Sequence, residues 1–152
     1  MERARGAPRR GGEIAYQDRA DIHDLLARYA TYWEFRACRA WAALFTEDGR
    51  YFDVQGRAAL EAACCAPREG VDAGRDSIHA QTNTLLVQVA DDRIHGLTNV
   101  VFGSHHAGEP NSARFTGYGD YHDVFVRTGE GWRFASRRAC SHLADPLPPE
   151  FQ

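Results

Sequence analysis

The chain contains no lysine, and all 18 of its basic residues are arginine. Schiff-base aldolases, pyridoxal phosphate enzymes and P-loop nucleotide hydrolases each act through a lysine side chain, so those chemistries are excluded. Cysteine is sparse. Cys38, Cys64, Cys65 and Cys140 lack the C-x-x-C spacing of a zinc site, and the adjacent Cys64 and Cys65 are not expected to bridge each other. With no export signal in view, the expectation is reduced thiols in a cytoplasmic protein, Cys140 serving as a small core residue. There is no H-x-H or H-E-x-x-H spacing, and the adjacent His105 and His106 would point to opposite faces of a strand. No metal and no organic cofactor is expected. There is also no apolar run long enough for a signal peptide or a membrane span. The net charge of −3 gives no pull toward nucleic acid or a membrane surface.

What is present fits one domain. A chain of 152 residues has room for a single core. Residues 1–15, Arg-rich with Gly and Pro, read as a disordered tail, residues 16–143 as the domain and residues 144–152, with Pro146, Pro148 and Pro149, as an irregular tail. Between Asp18 and Gly49, Ile22, Leu25, Leu26, Tyr29, Ala30 and Trp33 recur at helical spacing, which predicts a long amphipathic helix with Asp18 as its N-cap. Cys38 to Phe45 reads as a short second helix stopped by a Glu47-Asp48-Gly49 turn. Arg50 to Val54 reads as a strand and Gly56 to Ala66 as a third helix ending at Pro67. Arg68 to Asp76 reads as a loop placed to cover the mouth of a cavity.

From Ser77 the pattern changes to strands. Ile78–Val89, Ile94–His106, Arg114–Arg127 and Trp132–His142 form a meander, with turns at Asp91-Asp92 and around Gly129. Helices first and antiparallel strands afterwards make an α+β pattern, the helices lying on one face of the sheet. Period two puts His79 on one face with Gln81, Asn83, Leu85 and Val87, and Asn99 with His95, Leu97, Val101 and His105.

Several stretches resemble the SnoaL-like and scytalone dehydratase-like proteins of the nuclear transport factor 2-like superfamily. They are LLARYA in the first helix with an acid a few positions on, LFTEDG, and His79 and Asn83 at the start of a long strand. Gly119-Asp120-Tyr121-His122-Asp123 and Gly131-Trp132-Arg133-Phe134-Ala135-Ser136-Arg137-Arg138 complete the set. The resemblance runs from about Asp18 to about His142. It implies a cone-shaped, strongly curved antiparallel sheet wrapped over the long N-terminal helix plus two shorter helices, and a homodimer formed through the open face of the sheet. It also implies a cofactor-independent dehydratase, cyclase or isomerase that acts next to a carbonyl of a hydrophobic, polyketide-like small molecule.

On that resemblance His79 is the general acid and base, and Glu34, standing where related enzymes usually have Asp, orients it. The second acid expected three positions on is Ala37 here. Tyr29, five positions before Glu34, matches the tyrosine-to-acid offset of a bile-acid dehydratase, where a phenol holds a developing oxyanion; the alternative is a core tyrosine whose ring fills the helix-to-sheet contact. Tyr32, Trp33 and Tyr51 are candidate pocket walls. Asn99, Tyr121 and Arg138 are candidate substrate contacts, with Arg138 and Asp123 alternatively an ion pair near the sheet end. Alternative readings are a non-catalytic small-molecule-binding or scaffold protein, favoured by the changes at positions 34 and 37, and, with less support, an accessory subunit of a ring-hydroxylating oxygenase.

Overall fold

The computed structural model describes residues 13–67, 74–106, 108–109, 111–140 and 146–152. Helix α1 (Tyr16–Glu34) turns into α2 (Cys38–Ala42). Strands β1 (Phe45–Tyr51) and β2 (Val54–Gln55) then lead to α3 (Arg57–Cys65). Four long strands follow, β3 (Arg75–Ala90), β4 (Arg93–His106), β5 (Arg114–Thr128) and β6 (Gly131–Cys140), and a 3-10 turn covers Pro149–Phe151. The strands make one open, curved sheet in the order β2-β1-β6-β5-β4-β3. It is mixed rather than wholly antiparallel, because β1 runs parallel to β6. No helix among the described residues is long and apolar enough to cross a membrane.

The apolar stripe of α1 does what its spacing predicts. Ile22, Leu25, Leu26 and Tyr29 are buried against Ile94, Val100, Tyr121, Phe125 and Phe134 of the sheet, and Trp41, Phe45 and Leu60 close the core. The start of the helix differs from expectation, since it begins at Tyr16 with Ala15 before it and no side-chain cap. Asp18 lies inside the first turn. There it accepts hydrogen bonds from Trp132 Nε1 at 3.1 Å and Arg127 Nη2 at 2.6 Å, tying α1 to β5 and β6. A capping role would have left that acid in solvent, and the buried indole N–H draws it inward. Ile14, assigned to the tail by sequence, is part of the core.

The hydrogen bonds from Arg127, opposed by burial, hold the Asp18 carboxyl below its ordinary range. A carboxyl lowered in this way contributes stability that is present above its unfolded pKa of about 3.9 and is lost as the pH falls through the folded value. Asp18→Ala should therefore cost about 1–3 kcal/mol at neutral pH, by stranding the Trp132 donor and the Arg127 charge. In denaturant titrations the gap from wild type should close below about pH 4.

Local departures from the expected elements have steric or tertiary causes. The Glu47-Asp48-Gly49 segment, expected as a turn, is an irregularity within β1, where pairing with β6 shifts between Phe45 and Arg50. A Cβ on Gly49 would meet Phe45 Cβ at 2.8 Å, so the closeness needs glycine. α2 stops at Ala42, leaving Leu44 and Phe45 to lead into that strand. In β3 the register shifts between Thr82 and Thr84, with Asn83 at φ 48°, a conformation Asn tolerates better than most residues. That one extra residue flips the phase. Thr84 and Leu86 follow His79 and Gln81 on the inner face, while Leu85 turns outward and is 47% exposed.

Cys38 and Cys65 are joined in a disulfide, their Cα atoms 5.7 Å apart, which corrects the expectation of reduced thiols at those two positions. The packing of α2 on α3 brings together two residues 27 apart in sequence, a proximity that spacing alone does not display. Cys64 and Cys140 are not joined in a disulfide. The C-terminal tail does hold one regular turn, at Pro149–Phe151. Residues 68–73 of the expected covering loop lie outside the described residues.

Candidate active site

Helix α1 ends on Trp33 and Glu34, and this last turn lies against the inner face of β3 where His79 points inward. Glu34 Oε1 accepts the backbone N–H of His79 at 2.6 Å, and the same oxygen lies 3.7 Å from His79 Nδ1. The side chains are 11% exposed for His79 and 24% for Glu34, so the pair sits at the edge of the core rather than sealed within it. Two aromatic rings hold the imidazole edge-on. The Trp33 centroid is 6.5 Å away with the planes at 84°, and that of Phe102 from β4 is 5.4 Å away at 88°.

The chemical sense of this arrangement follows from the donors and acceptors. Because Glu34 is anchored by a main-chain amide, its carboxylate stays put while the imidazole turns. Closing the 3.7 Å gap to hydrogen-bond length needs only a small side-chain rotation. A proton on Nδ1 then faces the carboxylate, Nε2 becomes the basic nitrogen on the far side of the ring, and the carboxylate stabilises the imidazolium once Nε2 is protonated.

Behind the pair is a buried charge network. Arg137 donates through Nε and Nη2 to the two oxygens of Asp123, each at 2.7 Å, and through Nη1 to Gln81 Oε1 at 2.9 Å. Gln81 in turn donates to the Leu26 carbonyl of α1 at 2.8 Å. The guanidinium carbon lies 4.1 Å from the ring centres of both Tyr29 and Tyr121. Burial works against the cation, but the Asp123 carboxylate outweighs it and Arg137 stays charged. Burial likewise raises the phenols of Tyr29, Tyr51 and Tyr121 above their ordinary range, so all three remain neutral donors. The network links α1, β3, β5 and β6, and thereby sets how the end of α1 meets His79.

The expected site residues are not all gathered here. His79, Glu34 and Trp33 come together. Tyr51 joins through Trp33, at 6.0 Å between ring centroids, and Tyr121 through Phe102 at 6.2 Å. Tyr29 is fully buried in the core among Trp41, Tyr51, Tyr121 and Phe134 and has no exposed surface of its own. Tyr32 lines a separate surface cavity of about 480 Å³ with Arg28, Leu44 and Trp132. Asn99 lies on the outer face of the sheet, where its Nδ2 donates to Asp120 Oδ1 at 2.5 Å. Arg138 is also on the outer face, with Nη2 at 3.5 Å from His122 Nδ1, and the partner of Asp123 is Arg137.

That last exchange has a simple cause. Between Val124 and Phe125 the register against β6 shifts, because β6 carries one residue more than β5, and the shift brings Arg137 inward in place of Arg138. Gln81, Phe102 and Arg137 were not singled out by sequence. Gln81 was legible, since it shares the face of His79 by period two. Among the described residues no group of three or more His, Cys, Asp and Glu is placed to hold a metal ion.

Solved structures share this architecture. A variant of a protein of unknown function from Mycobacterium tuberculosis is 27% identical, with 90% of this chain and 85% of that one covered at a TM-score of 0.70. ActVI-ORFA from Streptomyces coelicolor is 23% identical, covering 80% of this chain and 95% of its own at 0.69. A protein from Novosphingobium aromaticivorans provisionally assigned as a scytalone dehydratase is 19% identical, covering 86% and 96% at 0.68. No curated protein matches the chain by sequence. The model of the SnoaL-like domain matches residues 15–138, and on that match, with the helix-over-sheet architecture to accompany it, the chain belongs to the SnoaL-like family.

Proposed function

We propose that this chain is an acid–base enzyme of the lyase or isomerase kind, without metal or organic cofactor, acting next to a carbonyl of a hydrophobic, polyketide-like small molecule. The observation that carries the reading is the partly exposed Glu34 and His79 pair, with the imidazole flanked by Trp33 and Phe102. His79 Nε2 takes a proton from the carbon beside the carbonyl and negative charge collects on the carbonyl oxygen. Tyr51, the phenol of the buried trio that reaches partial exposure, donates to that oxygen in place of the buried Tyr29. The imidazolium then gives the proton to a departing β-hydroxyl, which leaves as water, or to another carbon in an isomerisation. In a cyclisation the enolate carbon attacks a second carbonyl and the imidazolium protonates the new alkoxide. ActVI-ORFA and the provisional scytalone dehydratase are consistent with this class. A homodimer belongs to the proposal, formed through the outer face where Ile78, Val101, Phe115 and Tyr118 are exposed.

One observation favours the second reading, a non-catalytic ligand-binding or scaffold protein. The interior beneath α1 is filled by Tyr29, Trp41, Tyr121 and Phe134, which leaves only the edge at Glu34 and His79 for chemistry. A panel of β-hydroxy and poly-β-keto carbonyl compounds, followed by mass for water loss or ring closure, separates the two. For the enzyme, wild type converts at least one member and Glu34→Gln lowers kcat about tenfold or more with a smaller change in KM, since the carboxylate acts mainly on the charged imidazolium. Binding of a panel member to both proteins with turnover by neither supports the receptor.

A further inference from the structure

Helix α1 stops at Glu34, against His79, while the strands beneath it run further. Past the His79 and Phe102 pair, β3 and β4 continue with Ser77 opposite Ser104, and their pairing has no irregularity from Arg75 to Thr82. Alternation keeps both serines on the inner face with His79 and Phe102, whose rings meet edge-on. β5 reaches this end through a bulge. Phe102 pairs with Gly117 but Gly103 pairs with Phe115, so Thr116 is one residue more than β4 has to match. Beyond it the phase of β5 is reversed. Phe115 joins Tyr118 on the outer face, where their rings stack, and Arg114 stands opposite Ser104 on the inner face. Ser112 holds the approach to β5, its Oγ accepting the His106 amide at 2.7 Å and donating to the Glu109 carbonyl at 2.8 Å.

Arg114 is exposed, and among the described residues none pairs with its guanidinium. Asp76, the neighbouring acid on β3, faces the other way with His105. Between Arg114 and His79 the floor is Phe102 and Gly117. A Cβ on Gly117 would meet Phe102 Cδ2 at 4.0 Å and nothing nearer, so the surface beside Phe102 is open. The spacing of strands and residues puts Arg114 about 12 Å from His79 along this floor. We propose that Arg114 is the specificity-determining residue of the His79 site, and that the substrate is a carbonyl compound with a carboxylate at its far end. The carboxylate pairs with Arg114, the apolar body lies on Phe102 and over Gly117, and the carbon beside the carbonyl reaches His79. One guanidinium matches the single charge of a carboxylate and takes its two oxygens in a fork. This inference rests on the acid–base reading and names the class of substrate that the same site takes.

The probes are 4-acetylbenzoate, which carries a carbonyl and a carboxylate on one ring and has no group to eliminate, and its methyl ester. Each is titrated at pH 7 into the full isotopically labelled chain and followed by backbone amide shifts. The acid should bind about fivefold more tightly than the ester, with shifts at both His79 and Arg114, as one partly solvated ion pair provides. Arg114→Gln should abolish that preference and leave the affinity for the ester where it is, while His79→Ala should keep the preference. The proposal is overturned if acid and ester bind alike, if the preference survives in Arg114→Gln, or if the acid gives no shifts at about 10 mM. Turnover of 4-(3-hydroxybutanoyl)benzoate and its methyl ester, each able to lose water to the enone, separates this proposal from the acid–base reading. The acid should have the higher kcat/KM by about fivefold, through KM, and Arg114→Gln should remove the difference. Binding that depends on Arg114 with no water loss from either compound counts against the acid–base reading alone. Water loss from both at one kcat/KM, unchanged in Arg114→Gln, overturns this proposal alone.

Discussion

Arg137→Ala should be the most damaging single substitution in this fold, costing about 3–5 kcal/mol, because it leaves the Asp123 carboxylate buried without its partner. Arg137 and Asp123 have side chains with no exposed surface, so no water can replace the lost contact without opening the core. The loss is a large part of the ~5–15 kcal/mol that holds a domain together, and in a domain of this size it should lower the melting temperature by on the order of 10 °C. The cost comes from the stranded charge rather than from any large net value of the pair. Arg137→Met combined with Asp123→Leu should therefore recover much of the stability, although Gln81 then loses its donor. If the double variant is as unstable as the single one, the network is holding the fold through its hydrogen bonds and not merely tolerating a buried charge. Thermal denaturation of the three proteins settles the point.

The second large effect is on turnover. His79→Ala should lower kcat/KM for any carbonyl compound the wild type converts by on the order of a hundredfold or more, the usual contribution of a positioned acid–base group. Its melting temperature should change little, because His79 stands at the edge of the core, where its ring meets the edges of Trp33 and Phe102 and lies near the Glu34 carboxylate. Activity lost with stability retained is the signature that separates this residue from Arg137. Phe102→Ala occupies the middle ground, since it removes a wall of the imidazole and should lower activity through the position of His79.

Much of this was legible in the sequence because it depends on periodicity. The stripe from Ile22 to Tyr29 gave α1 and the β-branched runs gave the four long strands, while the inward placing of His79 and Tyr121 came from the family resemblance. What sequence could not display were the places where one extra residue changes the phase. Asn83 in β3 and the irregularity before Ser136 in β6 each reverse every side chain beyond them, so Leu86 faces inward where Leu85 was expected and Arg137 where Arg138 was expected. Tertiary partners were hidden for a different reason. Asp18 has ordinary capping chemistry, and only the position of Trp132 on a distant strand turns it inward. The Cys38 and Cys65 link likewise depends on how α2 meets α3. Tyr29 carried two readings, a core residue from its place in the apolar stripe and an oxyanion donor from its offset to Glu34, and its burial among Trp41 and Tyr121 agrees with the first.

On the proposed reading, His79 takes a proton from a carbon beside a carbonyl, in dehydration, cyclisation and isomerisation alike. The most direct measurement is the loss of label from a substrate doubly deuterated at that carbon, read by mass, for wild type and His79→Ala at matched concentrations. The expected result is one deuteron lost from that carbon per turnover with wild type and almost none lost with the variant over the same interval. Loss by His79→Ala at the wild-type rate, or wild-type turnover in which that carbon keeps both deuterons, would contradict the reading.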